Sequence, residues 1–63
     1  MITIHNADKM DPVQIMQVQA DMKRKGVEYY TMTPGNDCIW VYYGSMNLYY
    51  IFRGTEIIDV QID

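Results

Sequence analysis

The chain is poor in the residues that usually carry chemistry. Among its 63 residues there is one cysteine, Cys38, and one histidine, His5, and lysine and arginine together number five against eight carboxylates. A lone cysteine forms no internal disulfide and assembles no cysteine-based zinc site. Its expected place is that of a small buried hydrophobe. His5 stands near Asn6, Asp8 and Asp11, but Asp11 is better placed as a helix cap and Asp8 as a loop solubiliser, so no metal ligand set is assigned. No serine, threonine or cysteine has an identifiable base, and Ser45 falls in a turn. The glycines are scattered over caps and turns and build no phosphate loop. These absences leave no catalytic, cofactor-binding or metal residue to name, and the chain reads as non-enzymatic. A small enzyme of unknown type remains an alternative without a residue to carry it.

A net charge of −3 disfavours a polyanion partner, yet is too small for a protein that imitates DNA by charge density. Apolar residues are too evenly spread for a membrane span. The start of the chain, Met1 to His5, alternates Ile2 and Ile4 with Thr3 and His5, a short strand pattern without the apolar core of a secretory signal. A cytoplasmic protein is expected. The length allows a single domain, residues 1–63, near the lower limit for folding without staples.

One helix is strongly punctuated. Asp11 is a good N-cap, Pro12 suits the first helical position, Gln14 stands where it can close a capping box, and Met10 and Ile15 occupy the staple positions. Lys23, Arg24 and Lys25 complement the negative end of the dipole before Gly26 stops the helix. The spacing predicts a helix over 12–25. On a helical wheel Ile15, Val18 and Met22 form one apolar stripe, while Val13, Met16 and Ala20 form a second almost opposite.

Beyond Gly26 the pattern becomes strand-like in "VEYYTMT", "CIWVYY", "LYYIFR" and "EIIDVQI". Pro34-Gly35 suits a type II turn, Gly44 to Asn47 marks a second turn, and Gly54-Thr55 a two-residue type II′ hairpin. The expected fold is α+β: a small β-α-β-β-β-β domain, an antiparallel meander packed against one helix.

Register then assigns faces. A two-residue turn at Gly54-Thr55 sets Arg53 opposite Glu56, Ile51 opposite Ile58 and Tyr49 opposite Val60, with Ile62 on the same side. Leu48, Tyr50, Phe52 and Ile57 point the other way. A two- or four-residue loop at the second turn adds Trp40 and Tyr42 to the first face and Ile39, Val41 and Tyr43 to the second, and a three- or five-residue loop swaps these strand-three assignments. Both faces are therefore rich in large apolar groups, and one helix covers only one. The uncovered face would expose roughly 400 Å² of apolar area, at the upper end for a soluble monomer.

That surplus points to a protein-protein interaction module whose aromatic sheet face docks on another protein or on a copy of itself. A small chain of this kind suits an inhibitor or modulator of a larger protein, a genre that includes viral accessory proteins, or a homodimer. The expected partner-binding residues are Tyr43, Tyr50, Phe52 and Ile57 as anchors, Val41 and Leu48 between them, and Arg53 and Glu56 as rim charges. The alternative is a single-stranded nucleic-acid-binding protein that stacks bases on sheet aromatics. That reading lacks the basic surround, and "NLYYIFRG" lacks the core motif of an RNA-recognition strand.

Overall fold

The computed structural model describes residues 1–63. Five strands form one sheet in the order β1 (Ile2–Ile4), β2 (Tyr30–Pro34), β3 (Cys38–Tyr43), β4 (Met46–Arg53) and β5 (Glu56–Ile62), with α1 (Pro12–Arg24) packed on one side. β1 lies parallel to β2 at one edge, so the helix is the crossover of a β-α-β unit. β2 to β5 follow as an antiparallel meander. This is the α+β architecture that the sequence implies.

The helix begins and ends where its caps demand. Asp11 accepts a hydrogen bond from the Val13 backbone N–H at 2.8 Å, with Pro12 at the start. At the other end Gly26 takes φ 75°, its N–H bonds the Lys23 carbonyl, and the Val27 N–H reaches back to the Met22 carbonyl. This double closure satisfies carbonyls that the last turn leaves free. Lys25 is the C-cap, so α1 stops one residue short of the predicted end. Gln14 does not close a capping box. Its Nε2 donates to the Gly54 carbonyl at 2.6 Å, tying the first turn of α1 to the β4–β5 hairpin.

Ile15, Val18 and Met22 face the sheet, and the second stripe, with Met16 64% exposed, faces solvent. The core forms between this helix face and Tyr30, Met32, Ile39, Val41, Leu48 and Tyr50, closed at one end by Met10. Tyr43, Phe52, Ile57 and Val60 pack around it, half buried.

Two local departures reset the register. At the first hairpin Pro34 is the last residue of β2, paired with Ile39, and the left-handed residue is Asp37 (φ 57°) rather than Gly35. The Gly35 N–H bonds the Cys38 carbonyl at 2.9 Å, so the turn tip is Asn36-Asp37 and the Pro-Gly type II turn does not form. In β5, Ile51 pairs with Asp59 while Phe52 pairs with Ile57, which leaves Ile58 as an inserted residue. Arg53 does face Glu56, as the two-residue turn requires. Beyond Ile58, however, Tyr49 meets Gln61, and Val60 and Ile62 move to the side of Tyr50 and Leu48.

The helix selects the face that sequence reasoning assigned to partner binding. Val41, Leu48 and Tyr50 are fully buried beneath it, and Tyr43, Phe52 and Ile57 line the same core. Val41, Leu48 and Tyr50 are the interior of the domain and cannot be partner anchors in the folded chain, and Tyr43, Phe52 and Ile57 are half buried against the helix-covered core rather than forming an open docking face. Of the expected contact residues only Arg53 and Glu56 remain exposed.

Candidate functional site

The side of the sheet away from α1 carries no covering element. Strand alternation and the observed pairings place Thr31, Tyr42 and Asn47 in one row across it, Thr33, Trp40, Tyr49 and Gln61 in the next, and Cys38, Ile51 and Asp59 in a third. At its centre the Trp40 and Tyr49 rings sit 4.3 Å apart, inclined by 55°. Such a pair contributes about 0.5–1.5 kcal/mol beyond its area. Tyr42 stands beside it, 55% exposed. Tyr29, one residue before β2 and 72% exposed, lines a shallow groove with Thr31 and Tyr42 at the end of the same face.

The threonines are the sequence signal for this side. In β2 Thr31 and Thr33 alternate with the buried Tyr30 and Met32, so the strand itself distinguishes a wet face from a dry one. Carrying that distinction across the Thr33–Trp40 and Trp40–Tyr49 pairings leads to the aromatic cluster.

Cys38 is buried, as its chemistry led one to expect, but apart from the main core. It lies on the uncovered side against the first hairpin. A Cβ on Gly35 would fall 2.5 Å from the Cys38 Sγ and 2.7 Å from the Trp40 Nε1, so this turn is pressed onto the indole. Trp40 is thus held by Gly35 on one side and Tyr49 on the other.

Behind the face lies a polar latch. Tyr50, adjacent in β4 to Tyr49, sends its hydroxyl through to the helix side, where it donates to Asp21 Oδ2 at 2.5 Å. Arg24 and Lys25 each donate to the same carboxylate at 2.6 Å. Burial pushes the Asp21 carboxyl up, but the hydrogen bonds from Lys25, Tyr50 and Arg24 and the Lys25 charge outweigh it and hold the group at about 2. Burial and the neighbouring Asp21 carboxylate push the Tyr50 hydroxyl well above the ordinary tyrosine range. The latch fixes β4 to α1 and so stiffens the strand that presents Tyr49 and Ile51.

Because the Asp21 carboxyl is depressed in the folded state, its contribution to stability is complete above about pH 4 and is lost as pH falls towards 2. Its cationic partners are 74% and 40% exposed, so screening limits the effect to about 1–2 kcal/mol. Urea midpoints at pH 5 and pH 2 should differ by less in Asp21→Asn than in the parent chain. An equal difference in both would place the acid sensitivity elsewhere.

No group of three or more His, Cys, Asp and Glu side chains comes together to hold a metal ion. Asp11 is engaged as the helix cap. No family model matches the chain, and no curated protein or solved structure matches it.

Proposed function

We propose that this chain is a non-enzymatic, cytoplasmic protein-interaction module, a small inhibitor or modulator that docks through the open face of its sheet. The observation that supports this most is the cluster of Trp40, Tyr42, Tyr49 and Ile51 on a face no helix covers. Aromatic enrichment with few charges at the centre and polar groups around it is the composition of an interface core and rim. Thr31, Thr33, Asn47 and Gln61 form the polar surround, with Arg53, Glu56 and Asp59 at one end. Nucleic-acid stacking would use the same rings, but the only cation among these neighbours is Arg53, and two carboxylates flank it.

Tyr42→Glu tests the reading. Tyr42 is exposed, so the substitution should change stability by no more than about 0.5 kcal/mol. Placing a charge in the interface centre should reduce partner capture from host lysate at least tenfold. Met16→Glu, on the outer helix stripe, is the control and should capture as the parent does. Equal capture by Tyr42→Glu and the parent would refute the assignment of the open face. Salt-sensitive binding of a single-stranded oligonucleotide, lost in Tyr42→Glu, would instead establish the nucleic-acid alternative.

A further inference from the structure

We propose that Asp59 holds the outer edge of β5 shut against pairing with a second copy of the chain. This edge is distinct from the open face and stands independently of what docks there.

The ladder fixes which backbone groups are free. The Asp63 N–H bonds the Asn47 carbonyl at 2.9 Å, so by alternation Tyr49 with Gln61 and Ile51 with Asp59 are the pairs that exchange hydrogen bonds. Val60 and Ile62 lie between them and turn their N–H and C=O groups outward, where no further strand follows. β5 has seven residues, and Ile58 and Ile62 on it are 47% and 69% exposed. An apolar edge of this length is a template for another strand. The opposite edge, β1, offers only three residues.

A second copy of β5 fits because the free groups are self-complementary. In an antiparallel pair two-fold about Val60, each Val60 N–H meets the other chain's Val60 carbonyl, and Ile62 lies next to Ile58 of the copy. Val60 is then the donor on which the pairing centres. In the folded chain that donor is already taken. The Val60 N–H bonds Asp59 Oδ1 at 2.9 Å, and Gln61 Nε2 bonds Oδ2 at 3.1 Å, which keeps the carboxylate in place. A copy must displace this charge-assisted bond from both chains before the central pair forms. Repulsion adds to the barrier, since Glu56, Asp59 and Asp63 of each chain would approach those of the other and β5 carries no cation. The bulge at Ile58 limits the regular edge to the stretch that follows, and Asp59 guards the centre of that stretch.

Sedimentation of the intact chain over a range of concentrations tests the gate, with folding checked by circular dichroism. Asp59→Ala removes both the acceptor and the charge, whereas Asp59→Asn removes the charge and keeps an acceptor for the Val60 N–H. The parent should sediment as a monomer up to about 1 mM, and Asp59→Ala should dimerise with a Kd at least about tenfold below that limit. Asp59→Asn should dimerise at least about tenfold more weakly than Asp59→Ala. In the Asp59→Ala dimer the Val60 and Ile62 amides should gain protection from hydrogen exchange as concentration rises. Adding Ile62→Pro removes the second outward N–H without breaking a bond to β4 and should restore the monomer. Asp59→Ala that stays as monomeric as the parent overturns the inference. So does a parent that already dimerises, or equal dimerisation of Asp59→Asn and Asp59→Ala, which would make charge alone the barrier. Protection that bypasses Val60, or dimerisation that survives Ile62→Pro, would place the contact on another surface and overturn it as well.

Discussion

Tyr50→Phe lowers the free energy of unfolding by about 2 kcal/mol, and Tyr50→Ala leaves no folded protein at room temperature. The ring is completely buried in the centre of the core, and truncating an aromatic there costs about 3–5 kcal/mol. A domain of 63 residues has on the order of 3–9 kcal/mol in total, and the alanine variant also loses the hydroxyl's bond to Asp21, so truncation removes most or all of it. The phenylalanine variant keeps the packing and loses one hydrogen bond to a charged group, worth about 1.5–3 kcal/mol. Asp21 keeps Arg24 and Lys25, which limits the loss.

Two signatures separate the latch from simple packing. The Tyr50 hydroxyl is held above the ordinary range, so the parent gains stability that is present below about pH 10 and lost as pH rises beyond it; Tyr50→Phe should remove that share of the alkaline loss. In a double-mutant cycle with Asp21→Asn the two substitutions should cost less together than the sum of each alone. Strict additivity, with urea midpoints unchanged in Tyr50→Phe, would show that the hydroxyl contributes nothing through Asp21.

The latch also shows where sequence reasoning stops. Tyr50 carries an apolar ring and a polar tip, and nothing in "NLYYIFRG" says whether that tip meets water or a helix carboxylate 29 positions away. Local signals were legible because they are local. The Asp11 cap, the Gly26 stop and the Gly54-Thr55 turn depend on residues within a few positions of one another, and each forms as the sequence implies. Ile58 was not legible, because "EIIDVQI" alternates acceptably with or without an inserted residue, and only the position of the helix decides that Val60 belongs to the core.

The same difficulty governs the site. Adjacent pairs such as Trp40-Val41, Tyr42-Tyr43 and Tyr49-Tyr50 put one large residue on each face, so an excess of apolar surface was evident before the choice of face was. The helix took Val41, Tyr43 and Tyr50 because Tyr30 and Met32, and Ile2 and Ile4 paired with them, already define that side through the β-α-β crossover. The open side keeps the partners left over, and its threonines, asparagine and glutamine let it meet water.

Gly35→Ala should be the most damaging substitution on that open side. Ordinarily the glycine would be explained by a left-handed turn, but Asp37 holds that conformation and Gly35 does not. The constraint is space. An added Cβ would lie 2.5 Å from Cys38 Sγ and 2.7–2.8 Å from Trp40 Nε1 and Cδ1, distances at which something must move. Cys38 is buried and the indole is backed by Tyr49, so neither yields freely. Overpacking of this kind costs about 1–3 kcal/mol. The strain should be relieved by rotating Trp40 off Tyr49, which loses the aromatic pair and moves the indole towards water. A lowered melting temperature should therefore come with red-shifted tryptophan emission. Adding Cys38→Ala removes the closest contact and leaves the two to the indole, so it should recover stability in part while the emission stays shifted. Because Trp40 anchors the proposed docking face, the same variant should capture a protein partner more weakly even under conditions where it is fully folded. Parent-like emission and melting in Gly35→Ala would mean that the hairpin does not press on the indole, and that Trp40 is positioned by Tyr49 alone.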